Sequence, residues 1–102
     1  MFLIQLLLPV TGVTEEASAK VTTTMRELAD QFDGLTAYMR SPARGLWTAP
    51  DGRTERDDVM LVEIVADAFD RVWWRTYQKS LAERFAQQEI HVRAFAIETP
   101  GD

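Results

Sequence analysis

FLIQLLL, residues 2–8, is apolar at every position but Gln5 and is bounded by Pro9 and Gly12. A nearly continuous apolar run of this kind fits a central strand covered on both faces. A second run, Val59 to Ala66, reads the same way and belongs in the middle of the same sheet. The fold follows from what separates them.

From Thr14 the pattern is helical, with Thr14 as candidate N-cap and Glu15 and Glu16 at the positive end of the helix dipole. Ala17, Val21, Met25, Leu28 and Phe32 recur on one stripe, while Lys20, Arg26, Glu27 and Asp30 face away. Gly34 is expected to end that helix. Leu35 to Arg40 alternates as a strand, Pro42 and Gly45 predict a bulge at a sheet edge, and Pro50-Asp51-Gly52 supplies turn chemistry. A second helix is expected near Asp67, its candidate N-cap, with the stripe Phe69, Trp73, Tyr77, Leu81 and Phe85 flanked by Trp74. A last strand spans roughly Ile90 to Ile97. The order is β-α-β-β-α-β.

Two interleaved right-handed β-α-β units give an α+β, ferredoxin-like sheet: four antiparallel strands in the order 4-1-3-2, with both helices on one face. The 102 residues make one domain. Alternation assigns Phe2, Ile4, Leu6, Leu8, Met60, Val62 and Ile64 to the helix side. It leaves Leu3, Gln5, Leu7, Thr36, Tyr38, Arg40, Val59, Leu61, Glu63, Val65, His91, Arg93, Phe95 and Ile97 on the open side. The apolar members, Leu3, Leu7, Val59, Leu61, Val65, Phe95 and Ile97, form a patch of the size that marks an interface or a groove. The expected cover is a second copy packed sheet on sheet.

Composition removes several function classes. With no cysteine, thiolate nucleophiles, disulfides and cysteine-based metal sites are excluded. The single histidine, His91, excludes a multi-histidine metal site within one chain, so neither metal nor cofactor is expected. A net charge of −5 disfavours a nucleic-acid footprint. The apolar N-terminus lacks a basic n-region and an Ala-x-Ala site, and is far shorter than the roughly 20 residues of a membrane span. A cytoplasmic protein without a membrane partner is the expectation. No phosphate loop or nucleophile elbow occurs.

Phe32-Asp-Gly-Leu-Thr-Ala-Tyr38, Gly45-Leu-Trp47, Glu55 to Val65 and Glu83-Arg-Phe-Ala-Gln-Gln88 resemble a group of small, functionally uncharacterised bacterial proteins. The architecture is similar to the dimeric α/β-barrel proteins, in which two ferredoxin-like subunits join their sheets. That resemblance implies a homodimer and a group containing cofactor-free monooxygenases, haem-degrading enzymes and ligand-binding proteins. No catalytic motif of those enzymes matches these residues, so fold alone selects no activity.

The candidate ligand-binding residues are Tyr38, Arg40, Trp47, Glu63, His91 and Arg93. A hairpin centred on Asp51-Gly52 puts Arg40 opposite Glu63, either as a cross-strand ion pair setting register or as an anion-binding arginine steadied by a carboxylate. His91 reads first as an ordinary strand or interface residue, and second as a haem ligand or a general base. Trp73 and Trp74 read as core, whereas Trp47 caps a pocket mouth or fills the dimer edge. Three functions compete: a homodimeric module binding a small molecule between its sheets, a cofactor-independent monooxygenase or isomerase, and an RNA-binding module. The last is weakest, because RNA-recognition domains of this strand order place aromatic residues in a basic strand motif, and the central open-face positions here are aliphatic.

Overall fold

The computed structural model describes residues 1–9, 15–48 and 54–101, with backbone path and strand pairing only for 35–48 and 54–59. The Thr14 cap and the Pro50-Asp51-Gly52 turn lie outside the described residues. The elements are β1 (Phe2–Pro9), α1 (Glu15–Gln31), β2 (Gly34–Thr48), β3 (Thr54–Ala66), α2 (Arg71–Arg84) and β4 (His91–Ala96). The chain is α+β: two helices pack against an open antiparallel sheet whose hydrogen-bonded neighbours run β2, β3, β1, β4.

Side-chain period explains the core. Along β1, Ile4, Leu6 and Leu8 are fully buried, as are Val62 and Ile64 of β3, while the residues between them are not. These even-numbered positions meet Val21 and Leu28 of α1 and Trp74 and Leu81 of α2 in one cluster. Both helices therefore serve one face of the sheet. Ile90 is buried just before β4 begins, and Gln78 donates to its carbonyl at 2.5 Å, which pins the strand's entry. At the far end Ile97 N–H donates to the Met1 carbonyl at 3.0 Å.

An aromatic cluster closes one end of the core. Phe32 stacks on Trp74 with 5.4 Å between ring centroids and meets Trp73 edge-on at the same distance. Phe69 lies 6.3 Å from Phe2 and 6.4 Å from Trp74. Trp74, not Trp73, is the buried member, so the inward stripe of α2 runs through Trp74, Leu81 and Phe85, with Trp73 and Tyr77 at its margin.

Several expected boundaries move. Asp70, not Asp67, is the N-cap of α2: its carboxylate accepts from Val72 N and Trp73 N, both at 3.1 Å. That bond requires the acceptor two to three residues before the free N–H groups, which Asp67 is not. Gly34 begins β2 rather than ending α1, which stops at Gln31. It lies opposite Val65, where a Cβ would stand 3.1 Å from the Val65 carbonyl oxygen. β3 starts at Thr54, five residues before its apolar run, and its polar residues 54–58 pair with β2 beyond the last pair that β3 makes with β1.

The expected bulge lies between Tyr38 and Ala43. Four residues of β2, Met39 to Pro42, face only Met60 there, so the register on the two sides of the break differs. Thr36, not Arg40, is opposite Glu63, and Arg40 falls inside the irregular segment. The Arg40–Glu63 cross-strand pair is thereby overturned: a count outward from the turn fails once extra residues are inserted on one strand.

Candidate functional site

The unhelical face of the sheet is a lattice of cross-strand rows. The pairings of β4 with β1, β1 with β3 and β3 with β2 align Phe95, Leu3, Val65 and Gly34 in one row. The next contains Arg93, Gln5, Glu63 and Thr36, and the third His91, Leu7, Leu61 and Tyr38. A polar row thus crosses all four strands between two mainly apolar ones.

Within the polar row the Gln5 side-chain amide donates to Glu63 Oε2 at 2.9 Å. Both residues are half-buried in a single copy of the chain, so the carboxylate is held at the centre of the face and keeps access to solvent. Arg93 lies on the other side of Gln5 and is exposed; no described residue ion-pairs with its guanidinium. Two strand spacings, about 10 Å, separate the Arg93 and Glu63 backbones. The row presents a cation and an anion with an amide between them.

The flanking rows are only partly covered. Val65 and Phe95 are 42% and 47% exposed, and Leu3, Leu7, Leu61 and Ile97 are half-buried. By contrast the helix-side residues between them have essentially no exposure. The same two central strands therefore carry a closed face and an open one.

Of the residues expected in a site, Glu63, His91 and Arg93 share this face. Tyr38 holds the register position opposite Leu61, and Arg40 has no cross-strand partner. Trp47 pairs with Glu55 well beyond the end of β1, so its backbone stands apart from the four-stranded region. The side chains of Tyr38, Arg40, Trp47 and Val59 lie outside those described. Gln5 completes the row and was not singled out as a site residue from sequence; its signal was that it alone interrupts the apolar run of β1.

A second polar group lies on the helical layer. Arg84 donates through Nη1 and Nη2 to the two carboxylate oxygens of Glu27, at 2.7 and 3.0 Å, and through Nη1 to Thr24 Oγ1 at 2.8 Å. Tyr77 donates to the same Glu27 at 3.0 Å, and the fully buried Thr24 hydroxyl donates to the Lys20 carbonyl. The Arg84 hydrogen bond holds the Glu27 carboxyl below its ordinary range, against a smaller opposing effect of burial. Burial, followed by the Glu27 hydrogen bond and charge, raises the Tyr77 phenol. Arg84, Glu27, Thr24 and Tyr77 thus bond to one another across the two helices, which fits a clamp between α1 and α2.

A shallow groove of about 400 Å³ lies beside that clamp, lined by Asp70, Val72, Trp73, Thr76, Tyr77 and Ser80. Glu63, His91 and Arg93 do not border it. Among the described residues no group of three or more His, Asp or Glu side chains is placed to hold a metal ion, and no helix is long and apolar enough to cross a membrane.

No family model matches the sequence, and no curated protein matches it either. The resemblance to small bacterial proteins therefore has no family match behind it. Among solved structures the chain is similar to a phage SAM lyase in the apo state, with a TM-score of 0.56 and 15% identity over 92% of this chain and 78% of that one. It is similar also to a phage SAM lyase in complex with S-methyl-5'-thioadenosine, with a TM-score of 0.59 and 16% identity over 92% and 79%. At that identity the likeness is one of fold.

Proposed function

We propose that the open sheet face binds a small molecule and is closed by a second copy of the chain, two ferredoxin-like subunits joining their sheets as a dimeric α/β barrel. The observation that carries this reading is the polar row Arg93, Gln5, Glu63 and Thr36 set between apolar rows. Full burial of an exposed apolar side chain removes on the order of 1.5–3 kcal/mol of unfavourable hydration, and these side chains, already partly covered in one chain, contribute the remaining fraction of that, part of which association entropy offsets. Leu3, Leu7, Val59, Leu61, Val65, Phe95 and Ile97 are the interface residues in this reading. A covered carboxylate and guanidinium need partners, because unpaired buried charge is costly. Glu63 and Arg93, with His91 beside them, are the groups a polar ligand would satisfy, and Tyr38, Arg40 and Trp47 belong to the rim. In this reading the protein works in the cytoplasm, without nucleic acid, metal or membrane as partner.

Sedimentation equilibrium and a thermal-shift screen of small polar metabolites test it together. The expected mass is twice the 11.6 kDa of one chain. The expected hit raises the unfolding temperature of the native protein and not that of Glu63→Ala or Arg93→Ala. A monomer at every accessible concentration overturns the assembly, and a hit unaffected by both variants overturns the site.

The second reading is an enzyme on the same face: either a cofactor-independent monooxygenase or isomerase, or a protein acting on a sulfonium nucleoside. The last is favoured by one observation, that a structurally similar phage SAM lyase binds S-methyl-5'-thioadenosine. Incubation with SAM and chromatography for S-methyl-5'-thioadenosine separates it from a binding module. Product formed by the native chain and not by Glu63→Ala supports the enzyme.

A further inference from the structure

The polar row of the open face is antisymmetric about Gln5. Arg93 on β4 and Glu63 on β3 lie one strand to either side of it, so the cation and the anion are equally spaced from β1. Among the described residues neither charge forms an ion pair. The neighbouring apolar row has the same layout: Phe95 on β4 and Val65 on β3, 47% and 42% exposed, flank the half-buried Leu3 on β1. These two are the most exposed large apolar side chains described on this face.

A second copy that covers the face does so through an isologous contact, with a two-fold axis lying between the sheets. The charges choose among such axes. One along β3 sets Glu63 against the partner's Glu63, one along β4 sets Arg93 against the partner's Arg93, and one along the row does both. Axes between strands give neither charge an opposite charge within the row, which leaves covered charge unpaired. An axis along β1 turns β4 of each copy onto β3 of the other. Arg93 then faces Glu63 of the partner subunit, and Glu63 faces the partner's Arg93. Phe95 and the partner's Val65 cover each other in the same movement.

Distances agree. Sheets packed face to face stand about 10 Å apart, a gap that arginine and glutamate side chains bridge end to end. Aligned sheets cross at about 30°, which at one strand spacing from the axis displaces facing residues by only about 2.5 Å.

We propose that two copies pack open face on open face about a two-fold axis along β1, with an ion pair between Arg93 and the partner's Glu63 on each side of it. The proposal rests on the dimeric part of the reading above, adds the axis and the pairs that fix it, and describes the face before a ligand enters. The row then sets the register of assembly, a use to which covered ion pairs are suited even where their net gain in stability is small.

The test is a charge-swap mixing experiment on the full-length chain, read by sedimentation equilibrium. Glu63→Arg sets guanidinium against guanidinium across the axis and Arg93→Glu sets carboxylate against carboxylate, so each is expected to raise the homodimer dissociation constant by about tenfold or more. In an equal mixture of the two variants every facing pair is again of opposite charge, and the heterodimer is expected to return to within about threefold of the native affinity. A pair confined to one chain would stay broken in both variants and would not recover on mixing. Unchanged homodimers, or no recovery in the mixture, overturn the axis, while a native dimer leaves the dimeric reading standing. A monomeric native protein overturns that reading itself. Should a charge reversal fail to fold, Glu63→Gln and Arg93→Gln take its place. Their mixture keeps one complete ion pair that each variant alone lacks, so the heterodimer is expected to be tighter than either homodimer by about threefold or more. Equal affinities overturn the axis.

Discussion

Gln5 donates its side-chain amide to Glu63 across the two central strands, Nε2 to Oε2 at 2.9 Å, on the face that no helix covers. The pair is half-buried, so losing one partner and losing both have different consequences. Gln5→Leu leaves a carboxylate without its donor between apolar rows and is expected to cost about 1 kcal/mol, whereas Gln5→Leu/Glu63→Leu is nearly neutral or stabilising. Urea unfolding of the singles and the double checks this. A double variant whose loss equals the sum of its singles would show that the two side chains do not act as a pair.

The bidentate bond from Arg84 to Glu27 predicts an acid-dependent stability. Glu27 is held below its ordinary value of 4.5 in the folded chain, chiefly by Arg84. Folded protein therefore binds this proton less readily than unfolded chain, so the contribution is present above pH 4.5 and is lost as pH falls through the folded value. Solvent screens the pair, since the Glu27 side chain is 43% exposed. The expected loss in Arg84→Ala is about 1–2 kcal/mol at neutral pH, part of it from the hydrogen bond to buried Thr24. Measured at pH 3 and pH 7, the gap between native and Arg84→Ala should narrow at the lower pH.

Tyr77 supplies the alkaline counterpart. Its phenol is raised above the ordinary 10 by burial and by Glu27, so above pH 10 the unfolded chain releases a proton that the folded chain keeps. Stability present below pH 10 is expected to fall as pH rises beyond it. Tyr77→Phe removes that dependence at the price of one hydrogen bond, and the alkaline limb of its unfolding curve should be flatter than that of the native protein.

Two aspartates compete for the start of α2, and only Asp70 accepts from free N–H groups of the first turn. Asp70→Ala is expected to cost about 1 kcal/mol, and Asp67→Ala, exposed and outside the cap, close to nothing. Thermal unfolding of the two variants side by side is sufficient.

The hydrophobic period made most of the fold legible. Ile4, Leu6, Leu8, Val62 and Ile64 follow one parity, and that parity separates the buried face from the open one. What failed was information that period does not contain. The Arg40–Glu63 pairing assumed a continuous ladder, and Met39 to Pro42 break it by three extra residues, a number that no single position encodes. The N-terminal part of β3, Thr54 to Asp58, holds no apolar residue, so hydrophobic period gives no sign that it is strand. Thr24 is unremarkable among polar helix residues, and nothing local signals its burial or the hydrogen bond it accepts from Arg84, sixty positions away. For the candidate site, Glu63 and Arg93 were recognised as charges on an apolar face, but the Gln5 that lies between them was visible only as an interruption.

Leu6 and Leu7 are neighbours on β1 and differ in which side of the sheet they serve. Leu6 is fully buried under the helices, opposite Val62, and Leu7 is half-buried on the open side, opposite Leu61. Leu6→Ala leaves a cavity in the core of each subunit, so its cost of about 2–5 kcal/mol should be independent of protein concentration. Leu7→Ala removes little that a single chain buries, so at low concentration its effect should be well below that. If a second copy covers the open face, association stabilises the native state by mass action, and part of that stabilisation depends on Leu7. The Leu7→Ala deficit should then grow as protein concentration rises through the dimer dissociation constant, while the Leu6→Ala deficit stays fixed. Unfolding temperatures of both variants and the native chain across a hundredfold range of concentration, roughly the span needed to cross such a transition, decide the matter. A Leu7→Ala deficit that stays constant over that range would mean that the open face is not where the chains meet.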